Sequence, residues 1–202
     1  MEAPLISCKI IILMKRQYSF GLFLVLASMF LTVEANAQSF KGLDEAPHDI
    51  SYYRESKATP PLIKVVYGRP QKNGKAVFGN TVPYGKIWRT GANEATEVKF
   101  YQDVMFGDQQ IKAGTYVLYT IPNENEWEVI LNSNTDVLGS FQYDPTFDVA
   151  KVKVPISKAE ELDAFSIAFK EREDKVEMVL AWDAIRVAIP MAFRYRSAYA
   201  SN

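Results

Sequence analysis

A chain of 202 residues with 48% hydrophobic content suits one domain, and about 150 folded residues can bury roughly 70% of their unfolded surface. Its 23 basic residues against 24 acidic give a net charge of -1, which excludes generic binding to nucleic acid or to an anionic membrane, since both need a basic face. One cysteine, Cys8, and one histidine, His48, exclude a disulfide scaffold and the usual imidazole set of a zinc enzyme.

Met14-Lys15-Arg16, an apolar run from Phe20 to Val33, and Ala35-Asn36-Ala37 before Gln38 form the three parts of a secretory signal. The run is shorter than the roughly 20 residues that span a bilayer, so it is expected to be cleaved and to leave no transmembrane segment in the mature chain. Residues 1–37 are read as a signal peptide, with translation starting at Met14 and residues 1–13 a non-native extension. The mature protein is expected to be secreted or periplasmic. Cleavage removes Lys9, Lys15, Arg16, Glu2 and Glu34, leaving 20 basic against 22 acidic residues and a net of -2. It also removes Cys8, and with it any cysteine nucleophile or thiolate ligand. Leu5-Ile6-Ser7-Cys8 has the letters of a lipoprotein box, but no charged region and hydrophobic run precede it, and lipidation is rejected.

Residues 38–61 read as a polar, irregular leader interrupted by Pro47, Pro60 and Pro61, with Asp49, Tyr52 and Tyr53 packing it along the core. Residues 62–193 read as the folded domain and 194–202 as a tail. Leu62 to Arg69 is apolar on both alternations, the pattern of a strand covered on two faces. Asn73-Gly74 predicts a tight reversal into a strand over Ala76 to Phe78. Thr96 to Tyr101 alternates as a half-buried strand and Asp103 to Phe106 continues it. Gly107-Asp108 turns the chain into Thr115 to Ile121, and a further strand buries Trp127, Val129 and Leu131.

Four more strand-like runs follow: Val149 to Val154, Phe165 to Phe169, Val176 to Trp182 and Ile185 to Ile189. Lys158 to Leu162 reads as one helical turn, and the parity change at Asp183-Ala184 as a tight turn or a bulge. About nine short strands with frequent turns predict an all-β fold, an antiparallel two-sheet β-sandwich.

The densest turn chemistry lies between Tyr67 and Thr96, YGRPQKNGKAVFGNTVPYGKIWRTGANEAT, with two arginines, four aromatics, five glycines and two prolines. Such a stretch is a shaped loop region, and it is where a site is expected. Arg69 and Arg89 offer guanidinium forks for a carboxylate, sulfate or phosphate, and Tyr67, Tyr84 and Trp88 can stack on a sugar ring or on a guanidinium. The competing reading is architectural: Arg89 pairs with Glu94 across Thr90-Gly91-Ala92, and Arg69 bonds loop carbonyls. Asn93 beside Gly91 suits a left-handed turn position. Residues 68–75 have the outline of a phosphate loop but one residue too many between the glycines and no following Ser or Thr.

YGRP, VPYGKIWRTGANEAT and IKAGTYVLYTIPNENEWEVILN closely resemble a family of secreted bacterial proteins known as domain-of-unknown-function family 2911. The resemblance runs from about Gly42 to about Phe193 and implies no established activity. The chain departs from the family pattern at Gly68, where Ser is expected before Arg-Pro, and at Leu138, where Trp is expected before Gly139.

The leading expectation is a non-catalytic module that binds an acidic or sugar-like ligand, or an envelope component, through Arg69, Arg89, Glu94, Asn93, Trp88, Tyr84 and Tyr67. The alternatives are a saccharide hydrolase or lyase with Glu94 as acid or base, and a structural interaction module. Glycoside hydrolysis normally calls for two carboxylates, and Asp103, Asp144 and Asp148 are open choices for the second. A Ser-His-Asp reading of His48 fails for want of a Gly-x-Ser-x-Gly turn. Asn132, Asn134, Asp136 and Asp144 are calcium-like in composition without an EF-hand spacing, so no metal or cofactor is assigned.

Overall fold

Alternating apolar side chains carry the chain through nine strands among the described residues: β1 (His48–Tyr53), β2 (Ile63–Gly68), β3 (Glu97–Phe100), β4 (Val104–Phe106), β5 (Gln109–Ile111), β6 (Gly114–Pro122), β7 (Glu126–Asn132), β8 (Asp148–Arg172) and β9 (Lys175–Phe193). The computed structural model describes residues 42, 44–172 and 175–193. The signal segment with Cys8 and Met14, and the tail from Arg194, lie outside the described residues. Two 3-10 turns, Ser140–Gln142 and Pro145–Phe147, sit in the loop between β7 and β8.

The strands hydrogen-bond in the order β1-β2-β3-β6-β7-β8-β9-β4-β5, one open antiparallel sheet. The expected all-β antiparallel class is thus what the chain adopts. The hydrogen bonding does not divide into two sheets, because β8 pairs with β7 over residues 148–155 and with β9 from Ile156 onward. Pro155 stands where β8 changes partner, and Pro190 where β9 passes from its β8-paired stretch to the residues paired with β4. Proline has no N–H for a ladder, so these junctions are where a sheet tolerates it.

Four expected runs therefore merge into two long strands. The register of β8 on β9 shifts between Lys158 and Ser166, and opposite it Asp183 has φ +50, so the parity change is a bulge. Residues 158–162 stay in the strand and do not form the expected helical turn. Arg186 fills the irregularity by donating to the carbonyls of Asp183, Ile185 and Glu160. The Lys72 ammonium donates to Asp183 and Glu161, each at 2.8 Å, and hydrogen bonds to those carboxylates raise its pKa.

The Asn73-Gly74 reversal is present, with φ of 48° and 72° and a Lys75 N–H to Lys72 carbonyl bond of 2.9 Å. No strand follows it; residues 76–78 contribute only a bridge from Phe78 to Val82. The segment expected to be an irregular leader contains β1 instead, paired along its length with β2. Its inward positions are Asp49, Ser51 and Tyr53 while Ile50 and Tyr52 face out, so the apolar pattern of an ordinary core strand is inverted.

The main core gathers Ile63, Val65, Val98, Phe100, Leu118, Trp127, Leu131, Phe165, Met178, Leu180, Trp182 and their neighbours. On the other face of β6 and β7, Val117, Tyr119 and Ile130 pack with Ala95 and Val137 into a second, smaller cluster. That cluster fastens the β2–β3 and β7–β8 connections onto the sheet, and those two connections carry the site.

Candidate functional site

The segment from Trp88 to Thr96 leaves β6 and returns to it. Trp88 and Thr120 exchange backbone hydrogen bonds of 2.7 and 3.0 Å, the Leu118 N–H donates to the Thr96 carbonyl at 2.8 Å, and the Thr96 N–H donates to the Arg89 carbonyl at 3.1 Å. Between these anchors Thr90, fully buried, holds φ +56, a strained value for a β-branched residue. Its hydroxyl donates to Thr120 Oγ1 at 3.1 Å, and its carbonyl accepts the Thr96 hydroxyl at 2.7 Å. The far side of this turn lies against β2: a Cβ built on Gly68 would come within 1.9 Å of the Ala92 carbonyl oxygen. Only glycine permits that approach.

Trp88 is pulled inward by its ring. It meets Phe165 at 5.1 Å, Trp182 at 6.0 Å and Trp127 at 6.1 Å between centroids, while its indole N–H donates to the Gly91 carbonyl at 3.1 Å. Trp88 is thus core and site floor at once. Above it opens a cleft of about 390 Å³ whose walls include Pro70, Val82, Lys86, Arg89, Ser140 and Trp182.

Arg89 lies on the wall of that cleft with no ion pair or side-chain hydrogen bond among the described residues. Its Nη1 reaches the β7–β8 loop, where a Cβ on Gly139 would lie 3.0 Å from it and 3.3 Å from the Phe141 ring. Phe141 itself is 77% exposed. A guanidinium without a carboxylate partner, set beside an exposed aromatic, is equipped to receive an anion.

Arg69 sits elsewhere and is fully engaged. Nη1 pairs with Asp49 at 3.2 Å, Nε donates to the Phe165 carbonyl at 3.1 Å, and Nη2 donates to the Ser166 hydroxyl at 3.0 Å. Tyr67, buried, donates to the same Asp49 carboxylate at 3.1 Å and accepts the Ile167 N–H. Burial raises the Tyr67 pKa above its ordinary 10.0, and the Asp49 charge adds to this against the opposing Ile167 hydrogen bond. Asp49, Tyr67 and Arg69 thus tie β1 and β2 to β8.

Glu94 lines a second groove, of about 330 Å³, with His48, Glu97, Asp136 and Leu138. Its carboxylate stands 3.0 Å from His48 Nε2, an ion pair when His48 is protonated. Asn93 has φ +62, the left-handed turn position expected of it, and its amide donates to the Ala46 carbonyl at 3.1 Å. Tyr84, 40% exposed, packs its ring over Gly79 outside both openings.

Arg89 and Trp88 therefore share one cleft, Glu94 lines the other, and Arg69, Tyr67 and Asn93 are engaged within the fold. The calcium-like residues serve their own loop. The Asn132 amide donates to the Asp144 carbonyl and the Asp148 carboxylate, and Asp144 caps Thr146, whose hydrogen bonds lower the Asp144 pKa. Lys86, Ser140 and the cleft-facing part of Trp182 went unrecognised in the sequence. Ser140 is 51 positions beyond Arg89, and only the fold brings the two loops together.

No helix of the described residues is long and apolar enough to cross a membrane. No curated protein and no solved structure matches the chain. The turn built from Arg89 to Thr96 and the strands that anchor it fall within residues 52–191, the span matched by the family model described as "Protein of unknown function (DUF2911)", and the chain belongs to that family.

Proposed function

We propose that the protein is a non-catalytic binding module that takes a small anionic ligand in the cleft walled by Arg89. One observation carries this reading: among the described residues the Arg89 guanidinium has no carboxylate partner, although it stands in a concave site with a rigid aromatic floor. The two hydrogen-bonded stretches of the sheet are read as layers of a sandwich, supported by one core cluster that draws Val98 from one and Met178 from the other. The ligand is sought outside the cytoplasm, since the reading includes export with cleavage between Ala37 and Gln38; intact mass of the protein from its producing cell tests that step.

The test of binding is a screen of wild type and Arg89→Ala against acidic sugars, short peptides and cell-envelope fragments. Loss of binding in the variant with unfolding midpoints unchanged supports the site. Binding that survives in Arg89→Ala removes it.

A second reading has its own support. Glu94 shares its groove with two more carboxylates, Glu97 and Asp136, and a glycoside hydrolase needs a pair. Product formation from envelope saccharides that disappears in Glu94→Gln would favour the enzyme over the binding module.

A further inference from the structure

The lining of the Arg89 cleft narrows the ligand class, an inference that rests on the reading of that cleft as an anion site. Among the described residues its lining has two cations, Lys86 and Arg89, and no Asp, Glu, Asn or Gln side chain. A polyol needs acceptors for its hydroxyl protons, commonly supplied by carboxylates and side-chain amides. Among the described residues the side-chain acceptors here are only the hydroxyls of Thr81 and Ser140.

The aromatic floor points the same way. Trp182 is only 3% exposed and Trp88 stacks on it with an interplanar angle of 21°, so little open ring face remains for a sugar to lie on. Both indole N–H groups are taken, by the Gly91 and Asp163 carbonyls. What the walls present is apolar surface, chiefly from Pro70, Pro83 and Ile87. A hydroxyl-rich ligand entering such a site leaves water without replacement partners, whereas an apolar body loses nothing by the exchange.

We infer that the cleft takes a carboxylate carried on a compact apolar or aromatic body, its charge on Arg89 and Lys86 and its apolar end against Pro70, Pro83 and Ile87, in preference to a sugar acid. The volume of about 390 Å³ suits a small ligand of this kind.

Calorimetric titration of the purified protein with phenylacetate, hexanoate, glucuronate and benzyl alcohol tests this. Phenylacetate is expected to bind at least tenfold more tightly than glucuronate and than uncharged benzyl alcohol. Arg89→Ala should weaken phenylacetate about tenfold or more, the size of a lost charge-assisted hydrogen bond, with Arg89→Lys between the two. Glucuronate binding as tightly as phenylacetate, and lost in Arg89→Ala, would overturn the ligand class and leave the anion site standing. Absence of binding by all three acids, or phenylacetate affinity unchanged in Arg89→Ala, would overturn both. Benzyl alcohol binding as well as phenylacetate would remove the role given to the charge.

Discussion

Arg69 and Arg89 leave the same turn-rich stretch and meet opposite fates. Arg69 has a partner for each of its three nitrogens and ties β1 and β2 to β8, whereas Arg89 lines a cleft with no ion pair or side-chain hydrogen bond among the described residues. The difference lies in what stands opposite. β1 brings Asp49 and β8 a carbonyl and a hydroxyl to the first arginine, while the second faces Gly139 and Ser140, which bring no charge. An arginine is therefore diagnostic of a site only when its surroundings leave the fork unmatched.

The contrast can be broken first at the floor of the Arg89 cleft. Trp182→Ala should cost about 3–5 kcal/mol in denaturant unfolding, since the ring is buried against Trp88, Phe165 and Phe78. A loss under about 1 kcal/mol would mean the ring packs loosely and the cleft has no rigid floor.

Gly68→Ser comes next, with about 1–3 kcal/mol expected from the clash with the Ala92 carbonyl. Serine is the residue that the family resemblance leads one to expect there, so the substitution also asks how the turn is accommodated when a Cβ is present. A variant as stable as the wild type, with the Arg89 turn displaced in its structure, would show that the turn yields freely.

Arg69→Ala should lose about 1–2 kcal/mol, the part-exposed ion pair with Asp49 being discounted for solvent screening. The same region should weaken in alkali. Tyr67 and Lys72 both have folded pKa values above their ordinary 10.0 and 10.5, so their contribution is complete below those values and declines as pH rises through the folded ones. Stability measured from pH 8 to 11 should fall at the upper end, and Tyr67→Phe should flatten part of that fall. The smallest effect belongs to Arg89→Ala, within about 0.5 kcal/mol of wild type. A loss near 3 kcal/mol would make Arg89 a strut after all and erase the contrast.

The sequence made the strand-rich class legible because short apolar runs rich in Val, Ile, Leu and aromatics recur between turn residues in β2, β3, β6 and β7. β1 escaped notice for a physical reason: its inward side carries Asp49, which meets Tyr67 and Arg69, and Ser51, so the usual pattern is reversed. The junction at Pro155 and the bulge at Asp183 broke long strands into apparent short ones. At the site, Arg89 and Trp88 could be named from residue chemistry alone. That Glu94 would turn to His48, and that Ser140 would come beside Arg89, depended on tertiary packing that no local spacing encodes.

The place of β9 sets the order in which the molecule can be completed. β4 pairs with residues 191–193, nearly 90 positions downstream, and β5 is held only through β4. During synthesis β1, β2, β3, β6 and β7 can pair with one another, but β4 and β5 have no place in the sheet until the final element arrives. Such a long-range closure slows folding and prolongs the time for which apolar edges are uncovered.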